Sequence, residues 1–440
     1  MADNERMNLA QWAVEAAMKA GAGQAGVTIS NATEVEVECR DGKVENLKES
    51  TTSSLTLELF VEGRYSSHST NDMRPEPLSK LISEGIAATK YLAEDKSRSL
   101  PAPEYYPKSI DRDLDTFDKS REQIQPSQRK DFAAEIEKAA RGEGDRIITA
   151  TAEYSDRCYE IVKVHSNGFS GLVKGTIFSA GASVTVSDPN GGRPEDWYHA
   201  STRFRSELPS PESLGKEAAR RALSRIGQKK IQSGRYDMLV ENRAAGRLVR
   251  VLTGAMTGRA LQQKASYLEG MLGKKVASAR LTLTDDPLLG RGLGSRLFDE
   301  DALAAKPRPM IEKGILRDYY IDYYYSRKLG VQPTNASASN MVFECGQRTP
   351  QEVISDLKKA ILVTGFIGGN SNSTTGDFSF GIIGQLIENG RIVAPVSEMN
   401  ISGNAKEFWN SIIETCSDPY PWSSCRIPTM LFEGVSFSGV

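Results

Sequence analysis

Histidine is scarce in this sequence. The 440 residues hold three, His68, His165 and His199, and they lie far apart in the chain. A zinc helix of the usual hydrolytic type needs two histidines one turn apart with a carboxylate beside them, and no segment offers that. Cysteine is also sparse: five residues, an odd number, with no C-x-x-C pair. That pattern excludes a disulfide framework and a zinc ribbon, and it suits free thiols in a reducing compartment. No run approaches the roughly 20 apolar residues that cross a bilayer. The opening "MADNERMNLA" lacks the basic and apolar regions of a secretory signal. These absences predict a cytoplasmic protein with no membrane contact.

Charge excludes a further class. Fifty-five basic residues stand against 57 acidic ones, a net of −2 with the signs interspersed. No sequence-wide field favours nucleic acid. There is no G-x-x-x-x-G-K-[ST], so a nucleotide P-loop is excluded, and no G-x-S-x-G elbow. "GRGLG" at Gly290 to Gly294 lacks the strand and helix of a dinucleotide fold and is set aside.

What is present predicts an α+β fold: mixed and antiparallel sheets with flanking helices. Asp41-Gly42 and Glu62-Gly63 sit between alternating segments and predict hairpins. Helices are predicted over 7–20, 76–92, 129–141 and 213–227. Strands are predicted over 147–154 and 159–165, the latter turning at Asn167-Gly168, and residues 93–127 read as irregular. Strands with hairpin turns followed by a helix occur twice, which points to an internal structural repeat in the N-terminal half. Texture changes near "QKKIQSGR". The chain therefore divides into an N-terminal α+β domain, 1–230, and a C-terminal α+β domain, 231–440.

The segment "YDMLVENRAAGRLVRVLTGAM", 236–256, reads as a strand running into a helix with Asn242 as its N-cap. Leu248, Val251, Leu252 and Ala255 form its buried stripe. Arg243, Arg247 and Arg250 share another face. Such a face is either simply solvated or a surface for carboxylates, which guanidinium binds in bidentate fashion. "GGNSNSTTGDFSFG", 368–381, is rich in glycine and hydroxyls. It reads either as a long flexible connection or as a loop whose amides meet an anion or an extended peptide. Asn370, Thr375 and Asp377 are its candidates for lining a cleft. Asp285-Asp286 before Pro287 reads as a turn in preference to a cation site. Cys416 and Cys425 read as free thiols. His68 is placed in a surface loop, His165 at a strand end and His199 in a strand, all structural.

Taken together the motifs resemble a family. "CRDGKVENLKES" and "FVEGRYSSHSTND", "LTDDPLLGRGLGSRLFDEDA" with "IEKGILRDYYIDYYYSRKLGVQPTNA", and "TTGDFSFGIIGQLIENGRIVAPVSEMNISGN" are similar to the TldD/PmbA family, whose members are described as modulators of DNA gyrase and as a cytoplasmic peptidase system. The resemblance spans nearly the whole chain. It implies a zinc site in the TldD branch, on an H-E-x-x-x-H helix with a cysteine near the C-terminus as a further ligand. At the equivalent helix this chain has Asn242, Arg243 and Arg247, and a shift of one residue brings no histidine. The resemblance therefore implies the PmbA branch, also called TldE. On that footing this chain has no catalytic residue, no metal ligand and no cofactor of its own. It implies a dimer, with a zinc-bearing TldD-type partner or with itself, acting on unfolded peptides. The substrate-binding candidates are Arg243, Arg247, Asn370, Thr375 and Asp377. Two other classes stay open at this point: an autonomous peptidase with an unrecognised site, and a binding protein that modulates DNA gyrase.

Overall fold

The computed structural model describes residues 3–440. Helix α1 (Asp3–Lys19) precedes three antiparallel strands, β1 (Gln24–Arg40), β2 (Lys43–Val61) and β3 (Arg64–Thr70), and helix α2 (Pro75–Thr89) follows. The order then recurs: helix α3 (Pro126–Arg141), strands β4 (Ile147–His165), β5 (Ser170–Val186) and β6 (Glu195–Thr202), helix α4 (Pro211–Leu223). All six strands make one sheet in the order β3-β2-β1-β4-β5-β6, and β1 pairs antiparallel with β4 at its centre. The sheet order is thus symmetrical about the β1–β4 pair, with the same helix-strand-strand-strand-helix unit on each side.

The hairpins form where glycine and its neighbour can take positive φ. Asp41 and Gly42 have φ of 52° and 70°, and Glu62 and Gly63 have 50° and 75°, the twist that closes a two-residue hairpin. Val27 and Ile29 near one end of β1, and Val37 and Cys39 near the other, share one face because strand side chains alternate. Helices α1 and α2 cover the first pair and α3 and α4 the second. Helix α4 comes so close to α3 that a Cβ on Gly215 would lie 2.3 Å from the Ile136 carbonyl oxygen.

The structure corrects several expectations here. The strands predicted over 147–154 and 159–165 are one continuous β4, because Asp156 and Cys158, polar interruptions to the pattern, still pair on both sides with β1 and β5. His68 lies within β3, not in a loop. It packs under α2, beside Ser66, whose hydroxyl is 2.8 Å from its Nε2. Residues 93–127 are irregular apart from two short 3-10 turns and the start of α3.

Strand β7 (Gly234–Val240) opens the second half and runs straight into helix α5 (Asn242–Ala255). Leu248, Val249, Leu252 and Ala255 are buried with Met238, Val240, Ile361 and Ile382 in the largest core. Each large side chain of that stripe contributes up to about 1.5–3 kcal/mol on burial. Short helix α6 (Gly258–Gln262) leads to a small sheet and its neighbours: β8 (Leu283–Asp285), β9 (Arg308–Glu312), β10 (Ile315–Leu316), α7 (Tyr323–Leu329), β11 (Met341–Phe343) and α8 (Pro350–Asp356). The chain ends with β12 (Lys359–Ser371), β13 (Asp377–Glu388), β14 (Arg391–Asn404), α9 (Ala405–Phe408), β15 (Ile412–Thr415), β16 (Cys425–Arg426) and β17 (Met430–Ser438). The order β14-β13-β12-β7-β17-β15 curls until β14 also pairs with β17, at Asn400↔Ser438 to Ser402↔Ser436, which closes the sheet into a barrel. The "GGNSNSTTG" stretch is therefore not a long connection: most of it belongs to the β12–β13 hairpin.

Candidate functional site

Helix α5 begins at the junction of the two halves. Its N-cap is Glu241, with φ −59° and ψ 140°, and Asn242 is the first helical residue. This corrects the expected cap. Asn242 is held by other partners: its Nδ2 donates to the Asp418 carbonyl oxygen at 2.7 Å, and its backbone N–H donates to Thr429 Oγ1 at 3.1 Å.

Arg243 is buried, with 4% of its side chain exposed. Nη2 lies 3.0 Å from Asp196 Oδ1 of β6 and donates to the Thr364 carbonyl at 3.1 Å. Nη1 donates to the Trp197 carbonyl at 2.6 Å, and the guanidinium carbon sits 4.5 Å from the Trp197 ring centre. Beside it Arg221 of α4 forms a two-pronged pair with Glu241, at 2.9 and 2.6 Å. Acid and base are exchanged across the junction, so the two pairs fix β6 and α4 against α5.

Alongside this clamp opens a cleft of about 1000 Å³. One wall is α5, with Arg243, Gly246, Arg247 and Arg250. The opposite wall is β12 from Thr364 to Ile367. β6 with Trp197 closes one end, and Met341, Ser423 and Cys425 lie within it. β7 pairs with β12 only from Ala360 to Val363. Beyond that point the edge of β12 faces α5, and arginines replace a neighbouring strand: Arg243 takes the Thr364 carbonyl, and Arg247 Nη2 reaches the Gly368 carbonyl at 3.4 Å. Arg247 also lies over the Phe380 ring, at 5.1 Å.

Of the five substrate-binding candidates the structure brings Arg243 and Arg247 together in this cleft. Asn370, Thr375 and Asp377 are not among the residues that line it. Asn370 is near the end of β12, opposite Ser379. Thr375 Oγ1 donates to Asp377 Oδ2 at 2.7 Å, and Asn404 Nδ2 donates to Asp377 Oδ1 at 2.8 Å. These bonds hold the Asp377 carboxyl below its ordinary range and tie the hairpin tip to the end of β14.

The other sequence candidates separate in the same way. Asp285 is buried and accepts from both N–H and Oγ of Ser339, while Asp286 accepts from the Leu288 N–H in a turn. "GRGLG" has a role that sequence reasoning missed. The Gly292 and Leu293 carbonyls accept from Arg203, which is 1% exposed. Its signal was the glycine density itself, since a Cβ on Gly294 would meet the Ser339 carbonyl oxygen at 2.4 Å. His165 is buried and its pKa is pushed down to about 3, by burial and the nearby Lys163 ammonium. Its Nδ1 is 3.0 Å from the Tyr106 hydroxyl.

A zinc ion needs imidazole, thiolate or carboxylate donors. On α5 the corresponding positions present an amide already bonded and two guanidiniums, which have no acceptor lone pair to give. Burial pushes the Cys425 thiol up to about 12, so it stays protonated at neutral pH. The residues of this cleft do not fit a zinc ion. Among the described residues no group of three or more His, Cys, Asp or Glu side chains is placed to hold a metal. Nor is any helix among them long and apolar enough to cross a membrane.

The molecule is thus an α+β protein in which a symmetrical sheet is clamped to a barrel, with an arginine-walled cleft at the joint. Three successive family models match it: PmbA/TldA metallopeptidase domain 1 over residues 25–89, the central domain over 119–226 and the C-terminal domain over 233–439. The chain belongs to the PmbA/TldD family. It is 28% identical to the metalloprotease PmbA of Escherichia coli O157:H7 over 97% of this chain and 95% of that one. A crystal structure from Bacteroides thetaiotaomicron, named as a modulator of DNA gyrase, is 40% identical, superposes with a TM-score of 0.97 and covers 100% of both chains. TldE from Thermococcus kodakarensis shares the fold, with a TM-score of 0.88 at 18% identity over 98% of this chain and 100% of that one.

Proposed function

We propose that this chain is a PmbA/TldE-like subunit of a TldD/PmbA-type metallopeptidase system acting on unfolded peptides, and that it contributes neither zinc nor a catalytic residue. The observation that carries this reading is what α5 and Cys425 present to the cleft, a bonded amide, two guanidiniums and a protonated thiol, with no three His, Cys, Asp or Glu side chains converging among the described residues. Peptide hydrolysis at neutral pH needs an activated water and stabilisation of the developing oxyanion, and a zinc ion supplies both. A guanidinium stays protonated at any ordinary pH and cannot serve as the general base.

Its role is to hold and guide. The edge of β12 offers main-chain groups along the cleft, and an extended peptide can add there as a strand. The Arg247 contact to Gly368 is long and open to exchange for a peptide group. The partner is a zinc-bearing TldD-type chain, or a second copy of this chain. Five free thiols suit work in the cytoplasm.

A quenched fluorescent peptide without structure tests this, incubated with this chain, with an H-E-x-x-x-H relative from the same organism, and with the mixture. Turnover is expected to need the relative and to rise in the mixture. EDTA-resistant turnover by this chain alone, lost on substitution of a residue in its own cleft, would show a separate catalytic site and overturn the proposal.

A further inference from the structure

The charge of the cleft is unlike that of the chain. Five arginines line it, Arg193, Arg225, Arg243, Arg247 and Arg250, against three carboxylates, Glu195, Asp196 and Glu398, in a protein of net charge −2. The partners sharpen the contrast. Asp196 is neutralised by Arg243, and Glu398 lies 3.6 Å from Lys230. Arg225 donates to Gln228 and to the Glu195 carbonyl. Arg247 has one long bond to a carbonyl and a ring contact, with no carboxylate. Arg250 is exposed, one turn further along the same face of α5. Among the described residues neither the Arg250 nor the Arg193 guanidinium has a hydrogen-bond or ion-pair partner.

Like charges three residues apart on a helix repel unless an anion lies between them. Here α5 turns Arg243, Arg247 and Arg250 into a concave space whose walls are partly apolar, with Trp197 and Ile367 still 44% and 45% exposed. Low-dielectric walls strengthen such a field over that of an open surface. Arginine at these positions binds oxyanions such as carboxylate and phosphate in bidentate fashion, and the carboxylate is the one that an unmodified peptide carries.

We propose that the cleft selects peptide segments that carry carboxylates, and that Arg247 and Arg250 are the residues that select them. The inference rests on the peptide-guiding role given above and names the substrate class for it. A peptide backbone lies along β12 from Thr364 to Ile367, an apolar side chain meets Trp197 or Ile367, and a carboxylate is received between the two arginines. The carboxylate comes from an Asp or Glu side chain or from a peptide C-terminus.

Binding by this chain alone, without partner or turnover, separates these possibilities. Three fluorescein-labelled unstructured peptides are titrated by anisotropy: one rich in Asp and Glu with an amidated C-terminus, its Asn and Gln counterpart, also amidated, and that same neutral peptide with a free C-terminus. At low salt the acidic peptide, the peptide with the free terminus, or both are expected to bind about tenfold more tightly than the neutral amidated one, and the arms tell which source of carboxylate is used. The preference is expected to shrink in 0.5 M salt and to be lost in Arg247→Gln with Arg250→Gln. Arg250→Gln alone, at an exposed position that does not threaten folding, is expected to lose part of it. Equal affinity for all three peptides overturns the selection while leaving a guiding role intact. A preference that survives the double substitution overturns the residue assignment. No binding of any peptide overturns the guiding role and the selection together.

Discussion

Arg243 and Asp196 meet across the joint between the first sheet and the barrel, Nη2 to Oδ1 at 3.0 Å, with only 4% and 8% of their side chains exposed. Forty-seven positions apart in sequence, they place a buried charge pair beside the start of α5. The pair explains why this helix opens with arginine. Its first arginine holds the architecture together and is not free to meet a ligand, whereas Arg247 and Arg250, one and two turns on, face open space.

Removing one member of such a pair leaves the other charge buried and alone. Arg243→Ala is therefore expected to lower unfolding stability by about 3–5 kcal/mol, since Asp196 and the Trp197 and Thr364 carbonyls lose their donor together. Arg250→Ala, on an exposed position without partners, is expected to stay within about 0.5 kcal/mol of the parent. Urea unfolding of the two variants makes the comparison. A loss for Arg243→Ala no larger than for Arg250→Ala would show that the joint does not depend on the pair.

His165 makes stability fall with acid. Its folded pKa is depressed from 6.5 to about 3, so between those values the unfolded chain binds a proton that the folded chain does not. Stability from this group is fully present above 6.5 and is lost as pH falls toward 3. Against His165→Gln, the parent's relative stability should decline by up to about 1.4 kcal/mol per pH unit below 6.5, or about 2 kcal/mol by pH 5. Denaturant unfolding of both proteins at pH 7.5, 6 and 5 checks it; a constant difference across that range contradicts the buried neutral imidazole.

Some of this structure is legible in the sequence, because its causes are local. The Asp41-Gly42 and Glu62-Gly63 hairpins are set by turn chemistry, the α5 stripe by helical period, and the recurrent order of elements by two such patterns in a row. The misplacements share one cause, long-range partners. Glu241 displaces Asn242 as the N-cap because Thr429 and Asp418, far along the chain, claim Asn242. Strand β4 runs through Asp156 because Arg121 and Arg129 neutralise that carboxylate, at 2.7 and 2.5 Å. Asn370, Thr375 and Asp377 looked like cleft residues by composition, but Thr375 and Asp377 bond to each other and to Asn404, and Asn370 lies near the end of β12, outside the cleft lining. Arg243 and Arg247 share a helix face by spacing alone, yet only tertiary structure shows that one is committed and the other open.

Two glycines bordering the cleft should respond to alanine with opposite sign. Gly369 has φ of 91°, and a Cβ there would lie 2.2 Å from the Ser379 carbonyl oxygen. Gly369→Ala is expected to cost about 1–3 kcal/mol and to disturb the bulge that presents Gly368 to Arg247. Gly246 lies inside α5 with nothing within 4 Å of its Cβ position. Gly246→Ala is expected to stabilise by about 0.5–1 kcal/mol through helix propensity. Thermal unfolding of both decides. A destabilised Gly246→Ala would mean that the cleft is narrower at α5 than described.

The described residues bring no three zinc donors together in the cleft, and that bears on what a transplant of such donors should do. Purified without added metal, the parent chain is expected to hold far less than one zinc per chain. Asn242→His, Arg243→Glu and Arg247→His together restore the implied H-E-x-x-x-H pattern beside Cys425. Chemistry alone suggests that such a variant would bind zinc. Electrostatics says otherwise, because the new Glu at 243 would sit against Asp196, which loses the guanidinium that neutralises it, and near Glu241, which keeps Arg221. Like charges in a buried site oppose folding, and zinc binding must outweigh that cost. The triple variant is therefore expected to unfold at least about 3 kcal/mol more easily than the parent and to gain no tightly held zinc. Adding Asp196→Asn, which removes the uncompensated acid, is expected to recover part of the lost stability. Metal content after dialysis and urea unfolding, measured on all three proteins, give the answer. A triple variant as stable as the parent and holding one zinc resistant to mild chelation would show that Arg243 is not the lock that keeps this helix from being a metal site.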